Sequence, residues 1–187
     1  MDTQSNLSNH FLIAMPGLND PNFFHTVTYI CEHNEKGAMG IVINRPIEFS
    51  MADIFEHMDI STDPSLEYQQ PVFNGGPVQE DRGFILHEYD HDWDSTLVIT
   101  PGIAITTSKD ILEALAKGKG PVRNLVALGY AGWGEGQLEQ EIIDNAWLTG
   151  PARPEILFDL PVEERWQQAA NDIGVDLNLL STTSGHA

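Results

Sequence analysis

A chain of 187 residues, 41% of them hydrophobic, suits one domain that buries roughly 70% of the surface its unfolded form exposes, and it is too apolar for intrinsic disorder. Its 28 acidic residues against 9 basic ones give a formal charge of −19, which repels phosphate backbones and anionic membrane surfaces and so argues against direct nucleic-acid binding and membrane association. The amino terminus has neither the basic start nor the apolar run of a signal peptide, no window reaches the ~20 apolar residues of a membrane span, and the lone Cys31 rules out an intramolecular disulfide, so a cytoplasmic location is expected.

In chain order, runs rich in Val, Ile, Thr, Phe and Tyr predict strands over 10–15, 26–33 and 38–44. The tetrad Asn34-Glu-Lys-Gly37 supplies a glycine for a hairpin between the second and third of these. Ser50-Met-Ala-Asp53 reads as a capping box opening a helix, with Met51, Ile54, Phe55 and Met58 on one face. The Pro/Asp-rich stretch 59–71 is expected to be mobile, and strands follow over 72–78 and 83–89. Pro101-Gly102 joins two more, 96–100 and 103–107. Ser108 caps a helix over 109–117 that Gly118 ends. A strand over 124–131 feeds a helix running from Gly136 to about Leu148, and 155–159 reads as a last strand. Pro161 opens a final helix that turns Val162, Trp166, Ala169, Ala170 and Ile173 inward and stops at Gly174. The ends, about 1–8 and 178–187, are expected to be mobile. Strands in runs with separate helices argue an α+β fold in a single domain over 1–187, with about four helices.

The densest stretch is Gly129–Leu148, where four glycines, two tryptophans and a mixed carboxylate/amide face fall within one strand-to-helix corner. Glycine there permits positive φ and close backbone approach, and a helix entered through glycine leaves N–H groups that could hold an anion. The spacing is not that of a dinucleotide fingerprint, no Lys-Ser/Thr follows it, and Glu135, Glu139 and Glu141 would repel a phosphate. At 100° per residue, Leu138, Ile142, Ile143, Ala146 and Trp147 form the buried arc of this helix, with Gln137, Glu141 and Asn145 as a stripe beside it. The glycines place Trp133 and Trp147 in the space their missing side chains leave, so both indoles are expected to be buried.

Cys31 and His33 lie two apart in a strand and are expected to share a face with Val27 and Tyr29, an arrangement that suits a reactive thiolate or half of a metal site; a single cysteine is also a common small core residue. His87, Asp90, His91, Asp92 and Asp94 are dense in donors, but their spacing matches neither an EF-hand nor a zinc motif, and no metal or other cofactor is expected. Lys109, Lys117, Lys119 and Arg123 form the one basic cluster, explained by cations near a helix end. Asn44-Arg-Pro46 and Asn74-Gly-Gly-Pro77 carry polar groups that turning alone does not require.

Together with the corner, Phe11-Leu-Ile-Ala-Met-Pro16, Cys31-Glu-His-Asn34, Gly37–Pro46, Gly75-Gly-Pro77 and Arg82-Gly-Phe-Ile-Leu-His87 occur in an order that resembles the YqgE/AlgH family of bacterial proteins from about residue 7 to the end. The resemblance implies a small closed or coiled β-barrel-like sheet with helices packed around it. It implies no established reaction, and the AlgH name carries the label of a transcriptional regulator. The expected function is a non-enzymatic binding or regulatory module that engages a protein or small-molecule partner through Asn44, Arg45, Asn74, Gly75, Gly76, His87, Trp133, Gln137, Glu141 and Asn145, and reaches transcription only through that partner. The rival is a thiol-dependent or redox enzyme using Cys31 and His33. Direct DNA binding ranks last.

Overall fold

Alternation of apolar residues across two faces builds the strands β1 (His10–Ala14), β2 (Val27–Asn34), β3 (Gly37–Val42), β4 (Pro46–Ser50), β5 (Pro71–Asn74), β6 (Val78–Glu88), β7 (Thr96–Thr100), β8 (Ile103–Thr106), β9 (Asn124–Trp133) and β10 (Trp147–Pro151). The helices are α1 (Met51–His57), α2 (Lys109–Ala116), α3 (Gln137–Ile143), α4 (Arg165–Asn171) and α5 (Leu177–Ser184). This computed structural model describes residues 6–184, with side chains as far as Leu180. The Ser50 box forms as read, its hydroxyl accepting from the Asp53 N–H and the Asp53 carboxylate from the Ser50 N–H.

The strands form one mixed sheet in the order β10-β1-β2-β3-β9-β6-β8-β7, with β4 paired to β5 and β5 running parallel to β9. β9 is the spine. Its lower half pairs with β5 on one side and β6 on the other, and its upper half, Ala131–Trp133, pairs with β3. The path ends at β10 and β7, which do not pair with each other among the described residues. The sheet is therefore a curled half-barrel, not a closed barrel.

Three apolar clusters fill the molecule. The first lies inside the curl, where Phe11, Tyr29, Ile41, Leu86 and Leu125 meet Ala169 and Ala170 of α4. The second lies between the other sheet face and α1 and α2, through Phe55, Ile85, Ile111 and Val126. The third joins Leu12, Ile30, Trp133 and Trp147 to Leu138 of α3. Helix α4 is tied into the curl by Trp166, whose indole N–H reaches the Ala14 carbonyl at 2.9 Å. Arg165, 5% exposed, donates to the Ile43 and Leu160 carbonyls and lies 5.3 Å above the Phe73 ring, and burial holds its guanidinium down to about 10.

Several elements differ from the sequence reading. Residues 155–159 form a π-helical turn, not a strand, because Ile156 and Leu157 are both buried in the same cluster, which strand alternation would forbid. The final helix is split into a 3-10 turn (Val162–Glu164) and α4, so the described chain holds five α-helices and two irregular turns rather than about four helices. Helix α3 ends at Ile143 because Asn145 takes φ 63°, a left-handed conformation that asparagine tolerates at a helix end. Asn145 therefore lies outside the predicted helical stripe, Ile143 is 70% exposed, and Trp147 opens β10. The stretch 59–71 is tied down: Ile60 is buried, the Asp63 N–H reaches the Ala116 carbonyl at 3.1 Å, and Tyr68 packs edge-on to Phe55. Of the carboxyl end expected to be mobile, 178–184 belong to α5, and 185–187, like 1–5, lie outside the described residues.

Candidate functional site

At the corner between β9 and α3 the side chains act on one another. Glu141 accepts from both indoles, Trp133 Nε1 at 3.1 Å and Trp147 Nε1 at 2.9 Å, and its second oxygen accepts from Gln137 Nε2 at 2.9 Å. Gln137 Oε1 in turn accepts from the Gly134 N–H at 2.9 Å. The rings cross at 77° with centroids 6.1 Å apart, and Phe23 packs against both. Trp133 and Trp147 are 5% and 4% exposed, so both are buried as expected, but not in space left by the corner glycines: Gly129, Gly132 and Gly134 face Gly76, Tyr130 and Gln137, and Gly136 faces open space. This is a polar clasp at the rim of an apolar cluster, with both indoles buried, Glu141 half-buried and Gln137 exposed.

The two turn motifs are also spoken for. Asn44 accepts from the Val27 N–H at 2.9 Å and donates to the His25 carbonyl at 3.0 Å. Arg45 donates to the Pro21 and Phe24 carbonyls, and so fixes the loop that sets Phe23 on the indole pair. Asn74 Oδ1 accepts from the Gly76 N–H at 3.1 Å. Gly76 has φ 152°, and a Cβ there would stand 2.2 Å from the Tyr130 carbonyl oxygen, while one at Gly75 would stand 2.3 Å from that of Gly129. These glycines let the β5–β6 turn cross the bend of β9. Arg45 is thus linked to Trp133 through the 20–25 loop, and Asn74–Gly76 belong to the β9 crossing.

His87 is fully buried. Its Nδ1 faces the Glu88 carbonyl at 2.8 Å and so carries the proton, leaving Nε2 to accept from the Thr106 hydroxyl at 2.7 Å. The chain of donors continues from Thr96 to Thr106 and from the Trp93 N–H to Thr96. Burial lowers the His87 pKa and keeps the ring neutral. Downstream, His91 pairs with Asp90 at 2.7 Å and Tyr89 with Asp92 at 3.0 Å. No group of three or more His, Cys, Asp or Glu side chains converges among the described residues.

Cys31 and His33 do not share a face. The β2–β3 register passes from Ile30↔Gly40 to Glu32↔Met39, which makes Cys31 the extra residue of a β-bulge and reverses the sides after it. Cys31 stays in the cluster inside the curl, 3% exposed, and burial pushes its thiol pKa up. His33 stands opposite Ala38 on the tryptophan side; its Nδ1 accepts from the Leu7 N–H at 3.0 Å and its Nε2 donates to Glu139 at 2.9 Å. The pair lacks the geometry of a nucleophile and its base.

The open surface lies elsewhere. Beyond the core the concave face of the half-barrel is unfilled, leaving a groove of about 930 Å³ floored by Met39, Phe84, Ile105 and Tyr130 and walled by Leu97 of β7. Arg82 leans over the Phe84 ring at 5.7 Å and donates to Thr107 at 3.3 Å, and Glu32 and Asp94 also line the groove. Arg82 reaches this position because β6 bulges between Val78 and Gly83, so that 79–82 have no partners on β9. β7 is the sheet edge, and its Leu97 and Val98 are 47% and 42% exposed. Of the candidate binding residues named from the sequence, Trp133 alone borders the groove among the described residues. Met39, Arg82, Phe84, Leu97 and Tyr130 were missed as a set, although Thr-Leu-Val-Ile-Thr, an apolar strand with neither charge nor proline, was the available signal.

Comparison with known proteins places this geometry among relatives. A family model described as AlgH-like matches residues 11–178. A UPF0301 protein of Thioalkalivibrio sulfidiphilus is 61% identical over 187 residues, covering 100% of both chains. One of Methylococcus capsulatus is 55% identical over 180 residues, 96% of each chain. The solution structure of the AlgH protein from Pseudomonas aeruginosa is similar at a TM-score of 0.80 and 52% identity, covering 97% of this chain and 96% of that one. A crystal structure of protein DIP2367 from Corynebacterium diphtheriae has the same fold, with a TM-score of 0.74 at 19% identity, covering 97% of this chain and 94% of its own.

Proposed function

This chain belongs to the AlgH-like family, and from that premise we propose that it is a non-enzymatic binding module of the cytoplasm that seats an extended segment of a partner protein in the half-barrel groove. The carrying observation is the groove of about 930 Å³ bordered by an edge strand whose Leu97 and Val98 face solvent. An unpaired edge offers main-chain N–H and C=O groups to an incoming strand, and the apolar floor offers pockets for alternate side chains. The net charge of −19, with Glu32 and Asp94 on the groove wall, favours a basic segment, since complementary charge speeds encounter and rejects acidic competitors. Any effect on transcription then passes through the partner. No helix among the described residues is long and apolar enough to cross a membrane.

The thiol-enzyme reading has no comparable support, because Cys31 is buried with its thiol pKa raised. The test is capture of partners from cell extract by the intact protein, by Leu97→Asp in the groove, and by Val122→Asp at a position 95% exposed and outside the groove lining. The reading expects proteins retained by the parent and Val122→Asp and lost with Leu97→Asp. Equal capture by all three forms would refute the groove as the contact surface.

A further inference from the structure

A second cavity lies on the opposite face of the sheet. Side chains of β6 alternate, so Phe84 faces the groove while Gly83 and Ile85 face the layer of α1 and α2. There a space of about 340 Å³ is enclosed by Ile54 and Met58 of α1, Leu112 of α2, and Ile85, Val126 and Leu128 of the sheet. That is near the lower end of the roughly 300–1,000 Å³ typical of ligand sites, and too small for a strand or helix of a partner.

Gly83 separates this space from ordinary packing slack. Its φ lies outside the positive range, and a Cβ built on it meets nothing within 4 Å. Neither backbone conformation nor crowding requires glycine here, and a larger residue would project into the cavity. Close-packed interiors leave few such spaces unfilled. The walls are apolar, while the mouth carries Lys109, Ser108, Thr107, His57 and Asp81. Lys109 is the first residue of α2, where the helix dipole is positive, and it makes no ion pair among the described residues although acids far outnumber bases. Asp110, beside it, is engaged by the Ser108 hydroxyl and by the N–H groups of Asp94 and Ile111.

We infer that this cavity binds a small amphipathic carboxylate, of the medium-chain fatty acid or arylalkanoate class, with its apolar body against Ile54, Leu112 and Val126 and its carboxylate at Lys109. The apolar walls select the body, and the uncommitted cation selects the head group. Asp81 on the rim sets the competing preference, for an amine.

Amide spectra of the intact isotope-labelled chain, titrated with decanoate below its micelle threshold, test this, with decanol and decylammonium as comparators. The expected result is saturable shifts confined to 54–58, 83–85, 109–112 and 126–128. Gly83→Leu fills the space and should weaken binding about tenfold or more, given the cost of overpacking; Gly83→Ala, which adds one methyl where a Cβ meets nothing within 4 Å, should weaken it to a smaller degree. Lys109→Gln should cost decanoate about two- to fivefold, the range of an exposed charge pair, and leave decanol unchanged. Leu97→Asp in the groove should leave decanoate binding intact, so this site stands or falls apart from the groove. Non-saturating or dispersed shifts, unchanged affinity in both Gly83 variants, or tighter binding of decylammonium than decanoate would each overturn the inference.

Discussion

At the scale of single residues, the glycine-corner motif and the two turn motifs explain stability before they explain recognition. Trp147 is 4% exposed and hydrogen-bonded to Glu141, so Trp147→Ala should cost about 3–5 kcal/mol, a large part of the roughly 5–15 kcal/mol that holds a domain together. Urea unfolding should show a molten or nearly unfolded variant; a midpoint close to the parent would mean that the indole pair is not a keystone. His87 makes a pH prediction with a definite sign. Burial lowers its folded pKa below the ordinary ~6.5, so the unfolded state binds more protons in that window and stability decreases as the pH is lowered. The contribution is complete above about 6.5 and is lost as pH falls through the folded value. The melting temperature should therefore decline on acidification below about 6.5, and the slope should flatten in His87→Gln without vanishing, because His25 is lowered by desolvation as well. An unchanged slope in the variant would remove His87 from the account. Cys31 should react with iodoacetamide only as fast as the chain opens, since its thiol pKa is raised by burial; rapid labelling of the native protein near neutral pH would contradict its placement in the core.

At the scale of elements, what could be read in the sequence was the strongly patterned part. The 96–100 strand, the Ser50 box and the helix after Ser108 form where their patterns place them, because a β-branched run and a capping box are local signals, but Ser108 does not cap its helix: its hydroxyl accepts from the Ser95 N–H and donates to the Asp110 carboxylate. Three features escaped because their causes are not local. The bulge at Cys31 reverses the faces of β2, and nothing in Thr-Tyr-Ile-Cys-Glu-His announces an extra residue. β4 begins at Pro46, which is tolerated in a strand because β4 pairs only with β5. Helix α3 stops three residues before an apolar pair, Ala146-Trp147, whose helical spacing continues to read as one face until Asn145 turns left-handed. That last point is testable. Asn145→Ala should cost about 1 kcal/mol, the penalty for a side chain without asparagine's local hydrogen bonding in the left-handed region, while Asn145→Gly should be close to neutral. Equal stability of Asn145→Ala and the parent by chemical denaturation would show that this turn does not end the helix as described.

At the scale of the whole molecule, the half-barrel divides labour between its two ends. The carboxyl-terminal π-helical turn and α4 plug one part of the concave face, with Arg165 and Trp166 bonded to strand carbonyls; the other part is left as the groove between β3, β9, β6 and β7. The sequence showed the candidate residues but not this division, because Met39, Arg82, Leu97 and Tyr130 meet only through long-range pairing. Asn44, Arg45, Asn74, Gln137 and Glu141 spend hydrogen bonds within the chain and lie outside the groove lining, so the recognition claim rests on the groove alone. The most direct test is a photoreactive amino acid placed in living cells at Leu97, with Val122, 95% exposed and outside the groove lining, as the control position. The account predicts discrete covalent partner adducts from Leu97 and none of the same size from Val122. Adducts that are identical from both positions, or absent from Leu97 while present at Val122, would contradict it.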